Sequence, residues 1–319
     1  MNSSNKILTE KFINENTPIQ AISGLLIKNA GVKLLVKRED LNNQYISGNK
    51  WYKLKYNLFE AKKNGFDTLL TFGGAYSNHI YATAAAGKIF GFKTIGIIRG
   101  EEHLPLNPTL GFAVRCGMNF YYLDRKSYRQ KYNVELLNNL RKKFGEFYMI
   151  PEGGTNALAV KGVTEFISKI NVQYDYICCP CGTGGTLAGI IEGTSKEKQV
   201  LGFSILKGGE FLRKNVEDLI GEKEYAKSKN WKINLDYHFG GYAKINSRFI
   251  DFVDRFEEEN NIPLEPIYTG KMFYGIYDLV LKGCFKKGET ILAIHTGGLQ
   301  GLEGMKEKIK RLRISRALN

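Results

Sequence analysis

The sequence predicts an α/β protein with two parallel-sheet units. Three observations predict it. Short β-type runs alternate with helical stretches of about a dozen residues, as βαβ units require. Glycine pairs stand at 73–74, 153–154, 184–185, 240–241 and 297–298, mostly where predicted strands end. The chain has 319 residues and is 43% hydrophobic and 12% aromatic, enough for one large domain or two ordinary ones with a sizeable core.

Near the start, residues 21–28 and 32–37 are β-type runs around Asn29-Ala30-Gly31 and predict a hairpin. A first alternating series follows. Residues 56–64 predict a helix, and 68–72 a buried strand ending in Gly73-Gly74. Residues 78–90 predict an alanine-rich helix, 93–98 a strand, and 108–116 a helix with Pro105 just ahead of it. Residues 119–123 predict a strand, 128–144 a helix, and 147–150 a strand running into Pro151-Glu152-Gly153-Gly154.

The second series starts with a helix at 157–170 and a strand at 174–179. A glycine-rich turn at 182–186 opens a helix at 187–192. Strand 200–206, helix 210–220 and an extended run at 231–239 come next. Helices at 247–258 and 273–282 precede a strand at 290–295, which leads into Thr296-Gly297-Gly298. No solenoid period and no low-complexity linker interrupts the pattern.

Composition narrows the function. Lysine and arginine number 46 and aspartate and glutamate 32, a formal net charge of +14. The charge is spread along the chain, densest at 306–316, and no interleaved aromatic and basic motif of an RNA-binding type is present. The expectation is a solvated basic surface that steers anionic substrates, without a nucleic-acid partner. No apolar run approaches the ~20 residues of a membrane span. The first residues show neither an apolar core region nor a cleavage site, so a cytoplasmic location without membrane attachment is expected. Cys116, Cys178, Cys179, Cys181 and Cys284 are odd in number, and Cys178 and Cys181 have no second pair, which argues against disulfides and against a metal site. The clustered cysteines are expected to be buried small side chains.

Four stretches carry chemistry. Lys50 follows the turn signal Gly48-Asn49 and precedes an apolar stripe, so it sits at a loop-to-helix junction where free N–H groups favour anions. An amine there can form a Schiff base if burial and cationic neighbours lower its pKa, and Lys53 lies one turn on. On this stretch alone an ordinary basic helix start is the simpler account. Gly182-Thr183-Gly184-Gly185-Thr186 lies between a strand and a helix and is a phosphate cradle by geometry. It lacks the third glycine of a dinucleotide fingerprint, because Leu187 stands there, and it lacks a P-loop lysine. A βα turn with spare glycines is the plain alternative. Gly73-Gly74-Ala75-Tyr76-Ser77-Asn78-His79 is a second strand-to-helix turn, with Ser77 placed as an N-cap. No carboxylate near it completes a hydrolase relay. Tyr242 after Gly241 and Tyr268 after Pro266-Ile267 can serve acid/base chemistry or pack, as most of the 18 tyrosines must.

Together, Gly48-Asn49-Lys50 with Lys53-Leu54, Gly73-Gly74 with Ser77-Asn78-His79, Gly182 to Thr186, Gly241-Tyr242, Tyr268-Thr269-Gly270-Lys271 and His295-Thr296-Gly297-Gly298 resemble a known family in order and spacing. It comprises the pyridoxal-phosphate enzymes D-cysteine desulfhydrase and 1-aminocyclopropane-1-carboxylate (ACC) deaminase. The resemblance covers residues from about 18 to about 305. It implies the tryptophan-synthase-β-like fold (fold type II), with two three-layer α/β/α domains of mainly parallel sheet. It implies a large domain of residues 1–52 plus 155–319, a small inserted domain of 53–154, and a homodimer. By the same resemblance Lys50 forms the Schiff base with pyridoxal 5'-phosphate, and Lys53 and Gly182, Thr183, Gly184, Gly185 and Thr186 hold the phosphate. Asn78 bonds the cofactor's 3-hydroxyl, and Ser77, His79, Tyr242 and Tyr268 line the substrate side. Thr269 reaches the pyridine nitrogen, with Thr296 nearby.

Two departures bear on the substrate. ACC deaminases carry glutamate where this chain has Thr269 and leucine where it has Thr296, so the chain resembles the desulfhydrase branch. A hydroxyl at the ring nitrogen makes the ring a weaker electron sink than a carboxylate does, which suits loss of a thiolate better than opening of a cyclopropane. Trp51-Tyr52 stand where the family usually has an arginine. The expected reaction is elimination from D-cysteine or a related β-substituted amino acid, with ACC deamination as the alternative; the alternative of another class, prompted by the net charge of +14, is a non-catalytic protein that binds pyridoxal phosphate or nucleic acid.

Overall fold

The computed structural model describes residues 12–221 and 230–317, with side chains through residue 314. Its strands are β1 Ile19–Ile22, β2 Lys33–Lys37, β3 Thr68–Gly74, β4 Lys93–Arg99, β5 Met118–Leu123, β6 Tyr148–Ile150, β7 Tyr176–Cys181, β8 Gln199–Ser204, β9 Trp231–Asn234 and β10 Thr290–Ile294. They form a six-stranded sheet, β1-β2-β10-β7-β8-β9, and a four-stranded sheet, β5-β4-β3-β6. Only β1 runs antiparallel to its neighbour; the other pairings are parallel.

The helices are α1 Leu25–Ala30, α2 Asn49–Lys63, α3 Asn78–Phe90, α4 Pro108–Arg115, α5 Arg125–Arg129, α6 Val134–Phe144, α7 Ala157–Ser168, α8 Gly185–Gly193, α9 Phe211–Ile220, α10 Ser247–Asn260, α11 Thr269–Leu281 and α12 Gly301–Ala317. Successive side chains of a strand point to opposite faces, and both faces of each sheet are covered. Ile177, Cys179 and Cys181 of β7 pack into the core beneath α2, α7, α8 and α9, while Cys178 joins Phe203 and Ile291 beneath α10 and α11. The three cysteines are thus buried strand residues, as expected. In the smaller sheet, Leu70, Phe72 and Ile97 face α5 and α6, and Ile98 and Met118 face α3 and α4.

Four elements differ from the expectation. The pairing of Ile19 with Lys37 through Ile22 with Leu34 is antiparallel, but the link is a helix rather than a tight turn. Leu25-Leu26-Ile27 is too short an apolar run to distinguish strand from helix by period, and Gly31, at φ 66°, supplies the left-handed C-cap. The helix expected at 128–144 is two, because Asp124 and Asn133 each cap their own start. Of 231–239, only Trp231–Asn234 is strand. Residues 306–316, expected only as a dense charge cluster, belong to α12, whose Met305 and Ile309 lie one turn apart and are buried.

Candidate active site

Ligands of parallel sheets bind beyond the carboxyl ends of the strands. A cavity of about 1260 Å³ opens there, where β3, β7 and β10 end in Gly74, Cys181 and the Thr296 loop. It is lined by Lys50, Lys53, Ser77, Asn78, His79, Gly182, Thr183, Gly184, Thr186, Tyr242, Tyr268 and Thr296. The sequence motifs, far apart along the chain, converge on one space.

The lysine is aimed by its backbone. Gly48 caps α2 at φ 67°, and a Cβ on it would fall 1.9 Å from the Thr296 carbonyl oxygen. Its amide donates to the Asn42 Oδ1 (2.8 Å), and the Asn49 amide donates to the Thr296 oxygen (3.3 Å). The start of α2 is thereby laid directly on the strand-end loop of β10. Lys50 Nζ donates to Asn49 Oδ1 at 2.9 Å. Desolvation lowers its pKa to about 8, against the upward pull of the Glu265 carboxylate. Trp51 and Tyr52 turn the other way, donating to Glu15 (3.1 Å) and Glu39 (2.7 Å), so they take no part in the cavity wall.

Lys53, one turn on, is buried and donates to Thr155 Oγ1 at 2.9 Å. Its pKa lies well below the usual lysine value because of desolvation and the nearby Lys50 charge. Thr155 and Thr183 share a 2.6 Å hydrogen bond, and Asn49 Nδ2 donates to Thr186 Oγ1 at 2.7 Å. Gly184, at φ 90°, turns the chain so that α8 begins at the cavity, where its first N–H groups have no helical partner. Neither Lys50 nor Lys53 has a carboxylate salt-bridge partner among the described residues. Two crowded amines beside a helix N-terminus are short of one anion. The phosphate of pyridoxal phosphate fits that donor set, and its charge would raise both depressed amine pKa values.

Ser77 caps α3, accepting from the amides of His79 (3.2 Å) and Ile80 (3.3 Å). His79 is buried against Gly154, and its Nε2 lies 2.8 Å from Thr71 Oγ1. The Thr71 hydroxyl gives its one proton to the Ile150 carbonyl oxygen (2.8 Å), so His79 Nε2 must carry the proton it shares. His79 Nδ1 is then an acceptor, and it has no partner among the described residues. Desolvation and the Lys53 and Lys50 charges keep the ring neutral. Asn78 is anchored through its Oδ1 by the Gln300 amide.

The phenols of Tyr242 and Tyr268 meet edge to face, with ring centroids 6.0 Å apart. Desolvation pushes Tyr242 up to about 12 and Tyr268 well above the usual phenol. The Tyr242 loop is held by Lys271, whose Nζ donates to the carbonyls of His238 (2.9 Å) and Gly241 (2.7 Å).

Gly185 and Thr269 do not line the cavity. Gly185 lies behind it, where a Cβ would meet Thr155 at 3.0 Å and Lys53 Cε at 3.2 Å. Thr269 is fully buried, and its hydroxyl stands 3.3 Å from both the carbonyl and carboxylate oxygens of Glu265. The Thr269 hydroxyl, expected at the ring nitrogen, thus turns to Glu265, whereas Thr296 is at the wall. Glu265 escaped the sequence reading. Its carboxylate accepts from the amides of Ile267 (2.8 Å), Tyr268 (2.8 Å) and Thr269 (2.6 Å), capping α11 and setting Tyr268 in place. The signal was its place four residues before Thr269, at the mouth of a helix. Asn49, Thr155 and Gln300 carried no comparable signal.

Glu265 yields a pH prediction. Burial raises its pKa to about 7 from 4.5, against the lowering pull of the three amides. Between those values the folded apoprotein binds more protons than the unfolded chain, so this group's contribution to stability falls as pH rises from 4.5 to 7. Comparing chemical unfolding at pH 5 and pH 7 for wild type and Glu265→Gln, the variant should lack a pH-dependent loss of about 2 kcal/mol. Identical pH slopes would refute the assignment.

The comparisons agree with the geometry. A family model described as pyridoxal-phosphate dependent enzyme matches residues 11–297. A protein of Pyrococcus furiosus named putative 1-aminocyclopropane-1-carboxylate deaminase is 35% identical, over 92% of this chain and 92% of its own. An Arabidopsis thaliana protein named bifunctional D-cysteine desulfhydrase/1-aminocyclopropane-1-carboxylate deaminase, mitochondrial, is 31% identical over 85% of this chain and 74% of its own. A crystal structure described as an ACC deaminase homologue superposes with a TM-score of 0.80 at 32% identity, covering 98% of this chain and 100% of its own.

Proposed function

The chain belongs to the family of pyridoxal-phosphate dependent enzymes, and from that premise we propose that it acts as a D-cysteine desulfhydrase. The reaction is α,β-elimination from D-cysteine or a related β-substituted amino acid, giving pyruvate, ammonia and sulfide. The observation that carries this choice is the nature of the polar groups around Lys50. Ser77, Thr296, Tyr242 and Tyr268 present hydroxyls to its cavity. The cavity's carboxylates, Glu101, Asp124, Glu152 and Asp218, are on none of the segments carrying Lys50, Asn78, Tyr268 or Thr296. Glu265, the one carboxylate that acts on Lys50, spends its oxygens on backbone amides. A ring held without a carboxylate partner favours departure of a good leaving group.

When bound, the cofactor supplies a carbonyl for the Schiff base and a ring that acidifies the Cα proton. Lys50, whose amine burial holds below the ordinary lysine pKa, is placed to take up that proton at Nζ. Lys53 and residues Gly182 to Thr186 hold the phosphate, with Thr155 and Thr183 orienting the Lys53 amine. Asn78, fixed by Gln300, faces the 3-hydroxyl. Ser77, His79, Tyr242 and Tyr268 bind the substrate, and Thr296 serves the ring-nitrogen side with Thr269 behind it.

The reading divides the chain into a large cofactor-binding domain, 1–52 plus 155–319, and a small inserted domain, 53–154. In its support, β3 to β6 lie wholly within the inserted stretch; α2 crosses the boundary and packs chiefly on α7 of the large part. A homodimer in the cytoplasm completes it. All five cysteines are free, as a reducing compartment requires, and no described helix is long and apolar enough to cross a membrane.

ACC deamination is the second reading, favoured by the name of the Pyrococcus relative and half the name of the Arabidopsis one. Holoprotein incubated with D-cysteine, L-cysteine and ACC, with sulfide and oxo acids assayed, separates the two. Sulfide and pyruvate from D-cysteine, with a larger kcat/KM than for ACC, are expected. Faster production of 2-oxobutyrate from ACC would reassign the enzyme.

A further inference from the structure

A second space of about 290 Å³ adjoins the cavity's outer end, lined by Arg99, Arg125, Tyr128, Arg129, Lys131 and Glu152. Arg99, Arg125, Lys131 and Glu152 line both spaces, so they are continuous. Four cations here meet one carboxylate, and that carboxylate is engaged. Glu152 ion-pairs with Lys131 at 3.2 Å and accepts from the Tyr128 hydroxyl at 2.9 Å. No acidic side chain among the described residues forms an ion pair with Arg99, Arg125 or Arg129. Asp124, the nearest acid in sequence, spends its oxygens capping α5, on the Lys126 and Ser127 amides and the Ser127 hydroxyl.

The three arginines are solvent-exposed, and two of the four cations, Arg99 and Lys131, are set against aromatic rings. The Arg99 guanidinium stacks 5.8 Å from the Tyr128 ring centroid, and Lys131 lies 5.0 Å from those of Tyr128 and Tyr132. Arg99 also reaches the substrate wall, since its Nη2 stands 3.5 Å from where a Cβ of Gly74 would be, at the head of the loop that carries Ser77. Its charge lowers the pKa of the Tyr242 phenol.

We propose that this arginine-lined recess is a subsite for a carboxylate or similar anion on the leaving-group end of the substrate, so that the enzyme prefers β-substituted amino acids whose thiol substituent is itself anionic. The inference rests on the elimination reading above. The C–S bond breaks and its electron pair leaves with the thiolate, while the Cα proton passes to Lys50. The leaving thiolate keeps its carboxylate in the recess until it departs. Guanidinium groups suit a planar carboxylate because they offer paired donors.

The test compares S-carboxymethyl-D-cysteine with S-methyl-D-cysteine and D-cysteine on holoenzyme, for wild type and the Arg125→Ala/Arg129→Ala variant. Wild type should show at least a tenfold larger kcat/KM for the carboxymethyl substrate than for the methyl one. The variant should lose that preference while keeping its D-cysteine turnover. Calorimetric titration with malonate, which needs no turnover, should show binding to wild-type holoenzyme weakened at least tenfold in the variant. If D-cysteine is turned over but neither preference nor arginine-dependent malonate binding is seen, the subsite is refuted and the elimination reading stands. If malonate binding depends on the arginines but none of the three substrates is turned over, the subsite stands as an anion site and the elimination reading fails.

Discussion

Lys50→Ala yields an enzyme whose turnover falls by about 10³-fold or more, the scale of a lost general acid/base, with cofactor held only by its non-covalent contacts. Three lysines stand at or behind the site, Lys53 and Lys271 buried and Lys50 partly exposed, and the geometry gives each a different task. Lys271 spends its amine on the carbonyls of His238 and Gly241, and Lys53 spends its on Thr155. Among the described residues Lys50 donates only to the Asn49 side chain on the cavity wall, and burial holds its pKa below that of an ordinary lysine. Kinetics of Lys50→Ala and Lys53→Ala with D-cysteine check this. The second variant should bind cofactor more weakly and regain rate at high cofactor concentration; the first should not. Equal rescue of both would contradict the division of labour.

Gly48→Ala has the largest structural effect. At φ 67° an added Cβ costs about 1–2 kcal/mol in backbone strain alone. The same atom would fall 1.9 Å from the Thr296 oxygen and 2.2 Å from its carbon, both backbone, so neither can swing aside. Gly297, at φ 73°, is pressed from the other side, where a Cβ would stand 2.4 Å from Ser47 Oγ. The expected loss is about 4 kcal/mol or more, in the range reserved for core disruption. Gly65→Ala is the control. It has φ 74° and nothing within 4 Å, so it should cost only the strain. Thermal unfolding of the two apoproteins measures the difference, and cofactor titration reports whether α2 still delivers Lys50. Equal melting temperatures would show that the contact between the lysine loop and the β10 loop yields freely.

Much of this was legible in the sequence because the relevant signals are local. Helix α3 begins at Asn78 and ends at Phe90 because Ser77 caps one end and Gly91, at φ 72°, the other, and both residues are plain in the chain. The turn at 182–186 was readable as a cavity-lining one because its glycine run stands between an apolar strand and a helix. What escaped depends on contacts between distant segments. Thr269 shares the Tyr268-Thr269-Gly270-Lys271 motif, yet its hydroxyl turns to Glu265, a choice set by how α11 is capped. Trp51 and Tyr52 look like neighbours of the reactive lysine, but the helical period swings them onto Glu15 and Glu39. The arginine recess joins the end of β4 to α5 and the turn after β6, and no spacing within one segment announces it.

The central claim is that the cavity at the ends of β3, β7 and β10 holds pyridoxal phosphate on Lys50. Borohydride reduction of the holoprotein, followed by peptide mapping, tests it most directly. The account predicts loss of the visible absorbance and one phosphopyridoxyl-labelled peptide containing Lys50. A label on Lys53, Lys271 or any other lysine, or no label on a protein that had bound cofactor, would contradict it.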